Sequence, residues 1–266
     1  MKKVKIVAVI PAHMASVRFP GKILHSFFGH PMIEHVRRRA LLSSGIEDVF
    51  VATCDEVIEK TIRNYGGKVI ATGSHHLNGT TRVAEAAELI DCSHIILLQG
   101  DEPLLLPSFI DTIANKILAN PNGDAWNGTG PIQNQADIDR HSFVKCAIGK
   151  NNKILYCFRR GPSHAEFKIQ QSYIRKILGV IAFRKGFIKE LVNLPASTVE
   201  SHEMIEQMRI IENGFSLISV PFLESLPSVN EPEEADIVIK HVASSKLQQE
   251  LLSKTFERLE PNAARK

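Results

Sequence analysis

Two cationic side chains stand four residues apart in the segment 11–22, which reads Pro-Ala-His-Met-Ala-Ser-Val-Arg-Phe-Pro-Gly-Lys. Arg18 and Lys22 carry positive charge that persists at neutral pH, the property needed to hold a triphosphate. Gly21 lets the backbone come close to phosphates, and Lys22 can counter the charge that develops as pyrophosphate leaves. The same residues also suit a surface loop with two solvated cations. A second candidate is Leu97-Leu98-Gln99-Gly100-Asp101-Glu102-Pro103, where an apolar run ends on a carboxylate. Asp101 there is placed to bind Mg2+, which takes one or two carboxylates and completes its octahedron with phosphate oxygens and water. Capping of the next turn is the alternative role for such an Asp; beside the cationic loop, metal binding is the better reading. A third candidate, Asn78-Gly79-Thr80-Thr81-Arg82, opens a helix. Free N–H groups and a partial positive charge at a helix start can hold a ribose, a base edge or a phosphate, although alone the segment reads as an ordinary N-cap.

These residues need elements to carry them. The segment 4–10 is largely apolar, rich in β-branched residues and ends at a proline, as a central parallel strand does. Residues 11–30 form a loop, and 31–44 place Met32, Ile33, Val36, Ala40 and Leu41 on one helical stripe. Strands at 49–53, 68–71 and 95–98 alternate with helices at 56–65 and 80–90. That alternation predicts right-handed βαβ units and an α/β fold with a doubly wound, mostly parallel sheet. Such sheets bind ligands beyond the carboxyl ends of their strands, and all three motifs fall there.

The second half is less regular. It reads as a helix at 108–118, an Asn/Gly/Pro/Gln-rich loop at 120–136, and strands at 143–149 and 154–158 flanking a turn at 150–153. An irregular stretch at 160–172, a short strand at 180–183 and a helix at 185–194 follow. A helix at 203–213 is ended by Gly214. A strand at 217–220 and a C-terminal helix at 232–244 complete the chain. The whole reads as one domain, 1–266. Residues 1–120 are the nucleotide-binding half, 121–230 an acceptor and dimerisation part, and 231–266 a C-terminal helix returning to the core.

The 266 residues are 44% apolar and 23% charged, which is ordinary for a soluble globular protein. A net charge of +3 does not make the basic face of a nucleic-acid binder, and Arg37-Arg38-Arg39 reads as a solvated helix face. Cys54, Cys92, Cys146 and Cys157 lack the C-x-x-C spacing of a zinc site or redox pair. Cys146 and Cys157 lie on strand-like runs as small buried hydrophobes. His75 and His76 have no third ligand at metal spacing and are expected to face solvent. Trp126, the only tryptophan, sits in the predicted 120–136 loop, where packing is its default role. The N-terminal apolar run fits a first strand better than a signal peptide, and no stretch approaches the ~18 apolar residues of a membrane span. The expected compartment is the cytoplasm.

Taken in order, the motifs resemble the CMP-Kdo synthetase (3-deoxy-manno-octulosonate cytidylyltransferase) family of the sugar nucleotidyltransferase superfamily, over most of the chain. The family opening I-P-A-R-x-x-S-x-R-x-P-G-K-x-L resembles residues 10–24, with His13 in place of the arginine. V-A-T-D-D-E resembles 51–56, with Cys54 for the first aspartate, and S-G-T-D-R resembles 78–82, with Asn78 and Thr81 substituted. Q-G-D-E-P is matched at 99–103, and E-x-L-E-Q-L-R-x-L-x-x-G resembles 203–214. V-D-T-P-E-D resembles 229–234, with Asn230 for the first aspartate.

The resemblance implies a nucleotide-diphospho-sugar transferase-like, Rossmann-type fold with a smaller lobe, a homodimer, Mg2+ as cofactor and a part in lipopolysaccharide biosynthesis. It implies transfer of CMP from CTP to Kdo or a related ulosonic acid, with release of pyrophosphate. By the same carry-over Arg18, Lys22 and Asp101 are catalytic, and Asp101 and Asn230 hold the metal. Ala12, His13, Asn78, Gly79, Thr80, Arg82 and Gln99 shape the nucleotide site. Arg159, Glu206 and Gln207 serve the acceptor, with Ile177 and Ile181 lining its pocket. The last two replace a histidine and a tyrosine of the family's sugar-contacting strand. Loss of two polar partners points to an acceptor other than Kdo itself: a modified or less hydroxylated ulosonic acid, or a small acid such as a phosphonate. A nucleotide-binding relative without catalysis is the rival of another class; Asn230, His13 and Thr81 favour it, and retention of Arg18, Lys22, Gln99 and Asp101 opposes it.

Overall fold

The computed structural model describes residues 3–256. The strands are β1 (Ile6–Ala12), β2 (Ser26–Phe27), β3 (His30–Pro31), β4 (Val49–Thr53), β5 (Lys68–Ala71), β6 (His94–Leu98), β7 (Ala125–Gly130), β8 (Lys145–Ile148), β9 (Ile154–Phe158), β10 (Ile174–Arg184) and β11 (Leu217–Pro221). The helices are α1 (Met32–Ala40), α2 (Glu56–Asn64), α3 (Gly79–Glu88), α4 (Pro107–Ala119), α5 (Ala136–Asp139), α6 (Phe167–Gln170), α7 (Lys185–Leu191), α8 (Thr198–Glu203), α9 (Gln207–Glu212), α10 (Glu234–Ser244) and α11 (Lys246–Phe256).

The main sheet runs β11-β7-β10-β6-β1-β4-β5, with β8 paired to β10 and β9 to β8. β1 pairs in parallel with β4 and β6, β4 with β5, and β7 with β11. In this sheet β10 runs antiparallel to β6, β7 and β8, and β9 runs antiparallel to β8. Period-two alternation supplies both faces of the core. Ile6, Ala8, Ile10 and Ala12 pack with Ile33 and Val36 of α1 and Ile110 and Ile113 of α4, while Val7 and Val9 pack with Val83 of α3 and Phe187 of α7. Each fully buried branched side chain contributes about 1.5–3 kcal/mol.

The largest correction lies at 120–136. Its centre is no loop but β7, buried along its whole length between β10 and β11. Asn, Gly and Thr are poor strand formers, and tertiary partners override that preference. Asn127 Nδ2 donates to Leu178 O at 2.9 Å, and Thr129 Oγ1 lies 2.7 Å from Ser219 Oγ. Trp126 packs inside the main core at 1% exposure, the packing role expected of it.

The strand expected at 180–183 extends over eleven residues, Ile174–Arg184, because its first half pairs with β8 and its second with β6. A register shift between Ile177 and Ile181 marks a bulge. The expected helix 203–213 is broken at Met204, which takes φ 54°. Arg159 stabilises the break: its Nε donates to Glu203 O at 2.8 Å and its Nη2 to Met204 O at 3.1 Å, satisfying carbonyls that a continuous helix would have used.

Arg37, Arg38 and Arg39 are buried rather than solvated. Glu34 accepts from Arg37 Nε at 2.6 Å and from Arg38 Nε at 2.7 Å. Arg39 Nη1 donates to Gln248 Oε1 of α11 at 2.7 Å. The C-terminal helices cover this face of α1, which a local reading of α1 does not show. Among the described residues, no helix is long and apolar enough to cross a membrane.

Candidate active site

Three segments distant in sequence meet beyond the carboxyl ends of β1 and β6. The loop 11–22 leaves β1 and is pinned by Met14 N, which donates to Asp55 Oδ2 at 2.9 Å after β4. Lys22 Nζ lies 2.5 Å from Asp101 Oδ2 and donates to Val229 O at 3.2 Å. Val229 N donates in turn to Asp101 O at 2.9 Å, which fixes the segment carrying Asn230 beside the aspartate. Ile23, next to Lys22, packs on Gly100, where a Cβ would meet Ile23 Cδ1 at 2.5 Å. Arg18 sits at the rim, with Nη1 3.5 Å from Glu231 Oε1.

Two cavities lie along the 99–102 segment that carries Asp101, one reached by Gln99 and the other by Glu102. The narrower one is lined by Asn78, Thr80, Thr81, Gln99, Ile181 and Glu206, among others. The wider cleft carries four cations, Arg18, Arg140, Arg159 and Lys176, together with Glu102, Ile177 and Asn230. Leu178, Gly179 and Gln207 line both, so the two are contiguous. The bulge in β10 makes that junction. Gly179 N donates to Glu102 Oε1 at 3.1 Å, and Gln99 N donates to Gly179 O at 3.2 Å. A Cβ at Gly179 would lie 2.4 Å from Glu102 Oε1 and 2.8 Å from Gln99 Cγ, so this crossing requires glycine.

Most of the expected residues gather here. Ala12 is buried at the end of β1, and His13 is exposed beside it. Asn78 caps α3 by accepting from Thr81 N at 2.9 Å. Gly79 lies against Pro11, and Thr80 Oγ1 donates to Glu206 Oε2 at 2.9 Å. Gln207 Nε2 donates to Asn127 Oδ1 at 3.1 Å. Ile177 falls in the cleft and Ile181 in the narrower cavity, so the two line different cavities. Arg82 departs from expectation. It is buried, with Nη1 donating to Thr72 Oγ1 at 2.6 Å and to Gly73 O at 3.2 Å, so it braces the 72–78 loop. Arg159 has most of its donors on the carbonyls of Glu203, Met204 and His141, which makes it chiefly a strut of the cleft wall.

Glu102, Lys176, Arg140 and Gly179 were not anticipated as site residues. Of these, Glu102 carries the clearest local signal, because it directly follows Asp101. Burial, reinforced by the Asp101 charge, pushes its carboxyl up to about 7. Burial lowers the Lys176 ammonium, opposed by the charge of Glu102. The other two come into place only through the pairing of β10 and the folding of the 140–144 segment.

Asp101 and Asn230 are the residues that could supply oxygen donors to a cation. Asn230 Nδ2 donates to Ser228 Oγ at 3.2 Å, which leaves the amide oxygen for a cation. One carboxylate and one carbonyl fit Mg2+ completed by phosphate oxygens and water.

A mostly parallel α/β sheet, a cationic loop after its first strand and a carboxylate facing that loop's lysine define a nucleotidyltransferase-type site. Residues 7–224 match the profile of the cytidylyltransferase family, and the chain belongs to that family. It is 37% identical over 235 residues to a 3-deoxy-manno-octulosonate cytidylyltransferase of Chlorobium limicola, covering 87% of this chain and 95% of the relative. It is 35% identical over 245 residues to an 8-amino-3,8-dideoxy-manno-octulosonate cytidylyltransferase of Shewanella putrefaciens, covering 90% of this chain and 99% of the relative. Among solved structures, CMP:2-keto-3-deoxy-manno-octonic acid synthetase complexed with CTP superposes with a TM-score of 0.84 at 31% identity, covering 90% of this chain and 98% of that one. The α/β, mostly parallel fold expected from the sequence is thus the fold found, and the chain is a CTP-dependent nucleotidyltransferase.

Proposed function

We propose that the enzyme transfers CMP from CTP to an eight-carbon 3-deoxy-ulosonic acid, Kdo or a close variant, with release of pyrophosphate. The observation that carries this reading is the junction of two cavities at the 99–102 segment that carries Asp101, one lined by Asn78, Thr80 and Gln99 and the other rich in cations. The relatives' acceptors are acidic sugars, and a cleft holding Arg18, Arg140, Arg159 and Lys176 suits a carboxylate. An acceptor hydroxyl oxygen attacks the α-phosphorus and loses its proton, and the bond from that phosphorus to the bridging oxygen of pyrophosphate breaks. Such transfers depend on positioning and on charge stabilisation.

Lys22 and Asp101 neutralise one another without substrate. When the triphosphate arrives, Lys22 turns to the leaving phosphates, and Asp101 and Asn230 are the residues that would hold Mg2+. The cation, when bound, would offset phosphate charge. Arg18 exchanges Glu231 for phosphate in the same way. Asn78, Thr80 and Gln99 face the nucleoside, Ala12, His13 and Gly79 shape the floor near it, and Glu206, Gln207 and Ile177 contact the acceptor, with Ile181 at the nucleoside side. Aliphatic Ile177 supports an acceptor with fewer hydroxyls on the facing edge.

The family resemblance also supports a homodimer joined through the 121–230 part, with exposed Leu155 and Tyr156 on β9 as fitting contacts. It further supports a cytoplasmic location and a division into nucleotide and acceptor parts. The test is pyrophosphate release with CTP and Mg2+ against Kdo, 8-amino-Kdo, other ulosonic acids and small phosphonates, with ATP, GTP and UTP as controls. Release with CTP and one ulosonic acid is expected. Release only with a phosphonate would overturn the acceptor assignment, and CTP binding with no release on any acceptor would favour a binding-only role.

A further inference from the structure

The adjacent histidines of the 72–78 loop have the third partner that their sequence neighbourhood does not offer. Glu85, nearly two turns into α3, brings its carboxylate to them, and one ligand atom from each of His75, His76 and Glu85 lies within 4.8 Å of the others. His76 Nε2 bonds Glu85 Oε2 directly. The two imidazole rings are tilted by 38° to one another, with centroids 4.3 Å apart.

We propose that His75, His76 and Glu85 form a site for one divalent transition-metal ion of the Zn2+ class, separate from the catalytic centre. Two imidazoles and one carboxylate, with a fourth position open to water, are a donor set suited to Zn2+ rather than to Mg2+, which prefers oxygen alone. Metal–ligand bonds of ~2.0–2.2 Å require only small shifts of donors already this close. The His76–Glu85 bond by itself explains two of the groups. It does not explain why exposed His75 turns back onto the same point.

The surrounding backbone is shaped for that turn. A Cβ at Gly73 would lie 2.5 Å from His75 Nδ1, so glycine at this position makes room for the ring. Gly73 N donates to both Glu85 oxygens, at 3.1 and 3.2 Å, and so orients the carboxylate. Gly73 O accepts from buried Arg82. This is the outer support that tunes and fixes metal ligands. The histidine side of the site belongs to the loop that delivers Asn78 and Thr80 to the nucleoside cavity, so a bound ion braces that loop.

The test uses the full-length, metal-stripped protein titrated with Zn2+ by calorimetry, and with Co2+ followed by its visible d–d absorption. His75→Ala is the discriminating variant, because His75 is exposed and its loss leaves the His76–Glu85 pair and the fold intact, as circular dichroism will verify. The wild type should bind one equivalent and melt at a higher temperature with Zn2+. H75A should bind at least ~10-fold more weakly, the scale seen when metal-site support is lost, and lose both the thermal shift and the four-coordinate Co2+ spectrum. Absence of stoichiometric binding by the wild type overturns the proposal. So does binding that H75A leaves unchanged, which would place the ion at exposed Cys54 or at Asp101.

Discussion

Lys22 Nζ and Asp101 Oδ2 lie 2.5 Å apart although 79 residues separate them in the chain. Both side chains are mostly buried, at 16% and 21% exposure, so each is held in place without substrate and neither is free in bulk water. On the proposed mechanism, ligand groups replace each partner of the other. Asp101→Asn should therefore lower kcat by ~10²–10³-fold, the usual scale for removing one preorganised charge partner at a reacting centre, with the fold retained. Pyrophosphate-release kinetics and circular dichroism check this together. Near-normal turnover in D101N would remove Asp101 from the catalytic set.

Gly179 supplies a prediction about shape. Any side chain there meets Glu102 Oε1 and Gln99 Cγ well inside contact distance. Gly179→Ala should cost about 1–3 kcal/mol of stability, the range for overpacking, and lower kcat/KM by more than tenfold, because Gln99, Glu102 and the cavity junction must all shift. Urea unfolding and steady-state kinetics measure the two effects. Full activity in G179A would mean that the junction is not used by substrate.

His35 supplies a prediction about pH. Burial is the main reason that its imidazole drops to about 4, with Arg39 and His30 adding to the effect and the bond to Phe27 O opposing it. The neutral ring must donate from Nε2 to Phe27 O, 2.7 Å away. A group whose folded value is depressed stabilises the fold above its unfolded value of 6.5 and loses that contribution as pH falls through about 4. At about 1.4 kcal/mol per pH unit, the full loss is about 3 kcal/mol. Unfolding free energy should decline from pH 6.5 towards 4, and His35→Gln should flatten that decline. An equal slope in H35Q would assign it to other groups.

Arg39 tests the covering of α1 by the C-terminal helix. Burial lowers its guanidinium to about 10, and Gln248 is its side-chain partner at 2.7 Å. Gln248→Ala leaves a buried cation short of an acceptor and should destabilise the protein by about 1.5–3 kcal/mol, the scale for hydrogen bonds to charged groups. Denaturant midpoints of the wild type and Q248A compare directly. No change would show that α11 is dispensable to α1.

Reactivity should separate the thiols. Burial raises Cys146 to about 12 and Cys157 well above the ordinary thiol value, while Cys54 is exposed. A thiol-specific reagent should modify Cys54 first in the native protein and reach Cys146 and Cys157 only on unfolding. Rapid labelling of Cys146 would contradict its burial.

The chain's local chemistry determined a good deal unaided. The alternation of apolar strands and helices up to residue 119 named the parallel sheet, since side-chain periodicity is local and survives without partners. The runs ending at Ile10 and Leu98 put Arg18, Lys22 and Asp101 beyond strand ends, where such sheets bind ligands. Tertiary structure decided the rest. Asn127, Gly128 and Thr129 look like a loop until β10 and β11 supply partners for their polar groups. Arg37, Arg38 and Arg39 look solvated until Glu34 and α11 enclose them. Glu85 becomes a partner of His75 and His76 only because α3 turns back beside its own leading loop. Gly179 joins two cavities only because β10 bulges where it crosses Gln99 and Glu102. In each case the deciding contact joins groups whose energetics depend on the removal of water, and removal of water is a property of the assembled fold rather than of any segment.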